Sequence, residues 1–267
     1  MNVVAGGVFC AGAFDNSMQS DSPALTSTAL SQWSHLDADP LGRDFMVLKS
    51  TITQGAYVAA PSDSAKRAEV QSRSVKVLWG QNYTYHWRII IPTDWINYGA
   101  TSYAIVAQMH DVNAPGIGRR PSAAFEIIDN ILSLNLSRTA IPTGFSGWSI
   151  PIRAGDEIEL TVHARWADGT NEADGNGVFR AYHNGSLCYS ISGRNTWDNG
   201  APSEPNPPFL KAGIYQPNTG DAWWVGKRLT CYHVAAFVAG GFETPESCRA
   251  YVDGLLKSRS AVFPAKT

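Results

Sequence analysis

The chain has 267 residues, with 21 Lys and Arg against 23 Asp and Glu and a net charge of −2. This balance excludes a globally basic binder of nucleic acid or of an anionic membrane, and a charged fraction of 16% excludes a disordered, charge-rich tail. The length suits one large core, and nine Trp, ten Tyr and ten Phe supply both core aromatics and flat platforms for sugar rings.

Residues 1–44 are rich in Gly, Ser, Ala and Asp, with Pro23 and Pro40 as breakers. They read as an irregular arm with one or two short strands or helical turns. The segment Met1 to Gln19 has no positive n-region and only a short, Gly-broken apolar run, so no signal peptide is recognisable. No stretch is long and apolar enough to span a membrane as a helix. From residue 45 the text changes to short β-rich runs separated by Gly, Pro, Asn and Asp. The runs fall at 45–53, 56–60, 67–78, 83–91, 102–110, 123–128, 131–136, 157–166, 177–183, 187–191, 209–216 and 223–236. Strands at such spacing predict a sandwich or barrel over residues 45–267. Hairpin signals lie in "DNILSLNL" and in "YHNGSLCYSI", where Asn184-Gly185 is the clearest. One helix is expected, after Thr244-Pro245-Glu246, which supplies an N-cap, a proline at the first helical position and an early acid. It is expected to close one edge of the sandwich. Cys10, Cys188, Cys231 and Cys248 have no zinc-like spacing, and Cys188 and Cys231 read as buried free thiols. Sequons at Asn82, Asn135 and Asn184 lie in strand or hairpin text and carry little weight as glycosylation sites.

Three strand segments carry chemically capable residues at alternate positions. In "KRAEVQS" Arg67, Glu69 and Gln71 share one side. In "IVAQMHD" Gln108 and His110 share one side, which Val106 continues inward. In "FLKAGIYQ" Lys211, Gly213 and Tyr215 do so. A half-buried sheet ordinarily sets apolar residues against simple solubilising charges. Here the polar side holds guanidinium, amide, imidazole, ammonium and phenol groups, which are the groups that read ligands. Taken singly, each has an ordinary explanation: a structural histidine, a surface Arg67–Glu69 pair, a core tyrosine. Their joint occurrence favours a site.

These segments resemble the three sheet motifs of jelly-roll alginate lyases, R-(S/T)-E-(L/V)-R, Q-(I/V)-H and Y-F-K-A-G-(V/I)-Y-N-Q. The chain has Arg67-Ala68-Glu69-Val70-Gln71, Gln108-Met109-His110 and Phe209-Leu210-Lys211-Ala212-Gly213-Ile214-Tyr215-Gln216 in the same order. "YTYHWRIIIPTDW" and "GVFRAYHNGSLCYSISG" are similar to heparin-lyase-like and glucuronan-lyase-like relatives, and the resemblance spans roughly residues 45 to 240. It implies an all-β, concanavalin-A-like β-jelly-roll sandwich with a short C-terminal helix. It also implies β-elimination on a 4-linked uronate chain, with no metal and no cofactor. Gln108 and Arg67 would hold the carboxylate and the enolate-like charge. His110 would be the base for substrates whose proton and leaving group lie on opposite faces. Tyr215 would protonate the glycosidic oxygen, or act as both base and acid in a syn elimination. Lys211 would add positive field, with Glu69 and Gln71 beside it. The chain departs from the pattern at Gln71, where the motif has arginine, at Gln216, where it has asparagine, and at Pro208, where it has tyrosine.

Weaker features complete the reading. Residues 168–177 ("DGTNEADGNG") suit a polar hairpin loop better than a calcium loop. Arg119 and Arg120 form a candidate basic lip that contacts the polymer. Of Trp223 and Trp224, one should face the core and the other, taken as Trp224, a sugar. There is no phosphate loop and no nucleophile elbow. The expected function is a polysaccharide lyase acting on an acidic, uronate-containing polysaccharide. The alternative is a non-catalytic carbohydrate-binding or virion surface module of the same fold, with the arm contacting other virion proteins, and a hydrolase of similar fold stands third. An extracellular or virion-associated location is expected under either main reading.

Overall fold

The computed structural model describes residues 15–16, 34–43, 45–53, 58–60, 63–71, 77–95, 103–110, 121–137, 145–167, 176–196, 208–216, 228–241 and 243–260. The strands are β1 (Asp15–Asn16), β2 (Ser34–Ala38), β3 (Met46–Thr53), β4 (Val58–Ala60), β5 (Asp63–Gln71), β6 (Asn82–Ile90), β7 (Ala104–His110), β8 (Ala123–Ile128), β9 (Ile131–Leu136), β10 (Phe145–Pro151), β11 (Glu157–Arg165), β12 (Val178–His183), β13 (Ser186–Ser192), β14 (Phe209–Gln216) and β15 (Arg228–Ala239). The helix α1 is Pro245–Ser260. One sheet runs β1-β5-β14-β7-β8-β9-β10, with β4 beside β5, and the other runs β13-β12-β11-β6-β15-β3-β2. Every pairing is antiparallel. The result is the expected all-β jelly-roll sandwich.

The alternation that defines the strands also defines the faces. In β8 and β9, Ala123, Phe125, Ile127, Leu132, Leu134 and Leu136 enter the core between the sheets. Glu126, Ser133 and Asn135 therefore lie on the opposite face. Two hairpins close as the sequence predicts, with positive φ at both central residues of Asp129-Asn130 and of Asn184-Gly185. Three differences from the expected elements stand out. The strand expected at 67–78 is β5 at Asp63–Gln71, and the one expected at 223–236 is β15 at Arg228–Ala239. β10 was not expected at all, because Gly147, Ser149 and Pro151 break up its β-rich text. The third difference concerns α1. It starts at the expected cap, where Thr244 Oγ1 accepts from Ser247 N at 3.2 Å. Yet α1 does not close an edge. Cys248, Val252 and Leu256 pack with Ile90, Val234, Ala235 and Phe237 on the outer face of the second sheet. An i, i+4 apolar stripe needs a broad apolar surface, which β15 provides and an edge does not. Ion pairs from Arg249 to Glu159 and from Arg88 to Asp253, each at 2.9 Å, fasten the helix there.

Polar tips in the core join the two sheets. Trp166 Nε1 donates to Tyr85 Oη (2.8 Å), and Tyr85 Oη donates to the carbonyl of Pro208 (2.6 Å). Trp87 Nε1 donates to the carbonyl of Lys211 (3.0 Å), and His233 Nε2 donates to that of Val106 (2.8 Å). The donors stand on or beside strands of the second sheet, and all three backbone acceptors lie on or next to β14 and β7. Buried indole and phenol groups are stable only when their polar atoms find such partners. Cys188, Cys231 and Cys248 are free thiols, Cys231 and Cys248 buried and Cys188 half-buried. Cys10 lies outside the described residues.

Irregular pairing shapes the centre of the first sheet. Four residues of β14 (Ala212 to Tyr215) span three of β7 (Ala107 to Ile105), and β7 is itself bulged against β8 between Ile105 and Ala107. Gly213 sits at φ +138°, and a Cβ there would lie 2.2 Å from the Ala68 carbonyl oxygen. Only glycine fits. Gly213→Ala is expected to destabilise the fold by about 2–4 kcal/mol, read as a lowered urea midpoint. Acid should weaken the fold as well. Burial lowers the pKa of His86 to about 3 and that of His233 to about 4, below the usual 6.5. The unfolded chain binds these protons first, so stability is full above pH 6.5 and falls progressively as pH drops toward 4. Denaturant midpoints measured from pH 7 to pH 4 should show this slope, and His233→Gln should reduce it.

Candidate active site

The face of the first sheet that points away from the core carries the three sequence motifs, because β5, β14 and β7 are neighbours in that order. Register aligns them in rows across the strands. One row reads Gln71, Lys211, Gln108, Ala124, Asn135. A second reads Arg67, Tyr215, Ile105, Glu126, Ser133, Ser149. Between them Glu69 is paired with Gly213. Cross-strand partners share a face, so Glu69, Lys211, Tyr215 and Gln108 belong to one surface, and positions 67 and 71 of β5 fall in register with Tyr215 and Lys211.

The middle of that surface is a buried polar cluster. Glu69 is 1% exposed, Gln108 2% and Lys211 7%. Gln108 Nε2 donates to Glu69 Oε1, and Lys211 Nζ lies 3.7 Å from Glu69 Oε2. Gly213 has no side chain to keep these groups apart. The acid thus orients an amide and balances an ammonium, which is how a buried charge is tolerated. The surface pair suggested for Glu69 does not survive this burial. His110 and Tyr215 are half-buried and stand at the two ends of the cluster. His110 pairs in register with Phe209, and their rings are 6.1 Å apart. Tyr215 pairs with Arg67 on one side and Ile105 on the other. From His110 to Ile105 is five residues of strand, roughly 15 Å at the backbone.

One expected position is corrected. Val106 does not continue the face of Gln108 and His110. The bulge turns its side chain into the core, and Ile105 takes the place beside Tyr215. A period-two reading cannot see a bulge. Arg119, Arg120, Trp224 and residues 168–175 lie outside the described residues.

The sequence reading did not single out Glu126, Ser133 and Asn135 for this face. They are 3%, 8% and 7% exposed, and Asn135 Nδ2 donates to Glu126 Oε1 at 3.5 Å. The signal was present in "FEI" and "LSLNL", where polar residues alternate with core residues at period two. The burial of Asn135 also removes its sequon from consideration as a glycan acceptor.

A family model described as polysaccharide lyase matches residues 27–230. No curated protein matches the chain. Among solved structures, the chain is similar to an endo-β-1,4-glucuronan lyase from the fungus Trichoderma reesei. That match has 15% identity and a TM-score of 0.62, and covers 90% of this chain and 96% of the other. An alginate lyase from Pseudomonas aeruginosa is 14% identical with a TM-score of 0.55, over 86% of this chain and 99% of the other. A β-glucanase catalytic domain from Podospora anserina is 14% identical with a TM-score of 0.53, over 87% of each chain. At these identities the structures speak for the fold, and the third shows that the fold also carries other chemistry. The family model spans most of the chain, including all three motif strands and the cluster of Glu69, Gln108 and Lys211 that they assemble, and on that ground the chain belongs to the polysaccharide lyase family.

Proposed function

We propose that the protein cleaves a uronate-containing polysaccharide by β-elimination on the face formed by β5, β14 and β7. The observation that carries this reading is the buried cluster of Glu69, Gln108 and Lys211, flanked by half-buried His110 and Tyr215. Elimination needs a neutralised uronate carboxylate, a base for the C5 proton and an acid for the leaving oxygen. The Gln108 amide gives one N–H to Glu69 and has a second for the substrate carboxylate. Arg67, in register beside Tyr215, supplies the cation for that carboxylate. Lys211 adds positive field from below, and Glu69 is a positioning residue that keeps both groups in place. Tyr215 and His110 approach from opposite ends. A uronate seated over Gln108 would turn its glycosidic O4 oxygen toward the tyrosine, with the adjacent C5 proton facing either the tyrosine or, on the opposite face of the ring, the imidazole.

The step balances without an added reactant. The base takes the C5 proton, and its electron pair becomes the C4–C5 double bond. The C4–O4 bond breaks, and the departing oxygen takes a proton from the acid. One new chain end is an ordinary hydroxyl, and the other is a 4,5-unsaturated uronate that absorbs in the ultraviolet. Tyr215 serves as acid in either stereochemistry. In a syn elimination it also serves as base, whereas an anti elimination assigns the base to His110.

A second reading is a non-catalytic carbohydrate-binding module, which would also suit a virion surface. It is favoured by Gln71, which removes one cation from the motif, and by the pairing of Lys211 with Glu69. Ultraviolet absorbance on alginate, glucuronan, heparin-type and hyaluronan-type chains separates the two. Under the lyase reading absorbance rises on at least one chain, and Tyr215→Phe lowers kcat by about 10²–10⁴-fold with a smaller effect on KM. Binding without any rise in absorbance establishes the module instead. His110→Ala tells the two stereochemistries apart: a loss as large as that of Tyr215→Phe marks the anti route, and a small loss the syn route.

A further inference from the structure

The edge strands of the two sheets are guarded unequally. A strand at the end of a sheet presents a row of N–H and C=O groups to any passing chain, and such edges are normally blunted by charge, proline, bulges or shortness. β1 has two residues, one of them Asp15. β2 has five and holds Asp37 in an ion pair with Lys49 at 2.8 Å. β10 carries Pro151 and Gly147 at φ +82°, and its register breaks between Phe145 and Ser149. β13, which ends the second sheet, has seven residues with no charge, no proline and no glycine. Its bulge, at Cys188, lies toward one end and leaves Tyr189 to Ser192 in regular register with β12. Leu187 is 56% exposed, more than any other large apolar side chain among the described residues. Among the described residues no strand pairs with the outer edge of β13.

The flank beside this edge is apolar as well. Tyr189 and Ile191 pair with the core residues Ala181 and Phe179 and so face between the sheets, yet both are only half-buried. Trp148 and Ile150 of β10, which meets β13 across the open side of the sandwich, are half-buried too. Strand addition alone makes a small interface, and these side chains add the apolar surface that a stable pair of chains needs, about 1,200 Å² or more in total.

We propose that β13 pairs antiparallel with β13 of a second copy of this chain, which joins the two seven-stranded sheets into one across a two-fold axis. The occupant is a second copy because the edge complements itself. An axis at Ser190 sets Tyr189 of each copy opposite Ile191 of the other, so an aromatic to β-branched pair forms twice. No like charges meet along the edge. The first charges in that row are the two copies of Arg180, which pairs with Ser190, and three strand spacings, roughly 14 Å, hold them beyond the screening length. The two-fold stands perpendicular to the joined sheet, so both sandwiches keep the same side up. The polar faces of β5, β14 and β7 then point the same way. On the lyase reading, on which only this last consequence rests, one long polymer engages two sites at once.

Sedimentation velocity of the full chain, without polysaccharide and from about 1 to 200 μM, tests the dimer. The mass should move from one chain to two as concentration rises. Ser190→Lys, which sets two ammonium groups against each other at the axis, should raise the dissociation constant by about tenfold or more. Leu41→Lys makes a like change at an exposed leucine beyond β2, at the opposite edge of the sheet, and should leave the constant unchanged. Thermal melting confirms that both variants fold. A single-chain mass at every concentration overturns the proposal. So does a dimer that folded Ser190→Lys leaves intact, because the interface then lies elsewhere. No substrate enters this experiment, so either failure leaves the lyase reading standing, and that reading fails separately in the ultraviolet assay.

Discussion

Three hydrogen bonds across the core set where the site lies. Tyr85, Trp87 and His233 reach from the second sheet to the carbonyls of Pro208, Lys211 and Val106. These carbonyls sit on or beside the two central strands that carry the candidate catalytic residues. Sheet packing by apolar contact alone tolerates small slides, since one methyl group replaces another at little cost. A buried carbonyl that loses its donor has no such substitute. The backbone under Lys211 and Gln108 is thereby held in one position relative to the core, and the polar cluster above it inherits that position. A charged cluster at 1–7% exposure needs this support, because a shift of an ångström would separate Glu69 from the ammonium and amide it balances.

Bulges adapt the same strands to two demands. The lower face must fill a core, and the upper face must gather polar groups. Two bulges in β7 and β14 let Val106 point down while its carbonyl meets His233, and they bring Ile105 beside Tyr215. Gly213 completes the fit, since the close approach of β5 leaves no room for a Cβ. Two of the irregular pairings thus lie where the chemistry is proposed to occur, a common association for bulged strands.

Much of this was legible in the residues. The bounds of β8, β9 and β14 and the two hairpin turns follow from alternation and from Asp, Asn and Gly at the right offsets. The helix start follows from Thr244 and Pro245. Strand order did not follow, and neither did the shared face of the three motifs, which depends on pairings far apart in sequence. The reading of Val106 failed because a bulge adds a residue without leaving a mark in the text. Glu126 and Asn135 do not stand out as residues of this face in the sequence, because their strand pattern looks like an ordinary amphipathic hairpin until β8 is known to lie beside β7. The helix was assigned to an edge because its apolar stripe says only that something apolar lies beneath. The run Val234-Ala235-Ala236-Phe237-Val238 on β15, apolar toward both sides, was the clue that its outer face needed a cover.

The placement of α1 has a practical consequence for how the molecule meets a solid support. The helix lies on the outer face of the second sheet, and the candidate site lies on the outer face of the first, with the full thickness of the sandwich between them. Anchoring the protein through an exposed residue of that helix, such as Lys257, would turn the polar face outward, toward any long chain arriving from solution. Orientation on a bead or sensor is then a matter of choosing the attachment point.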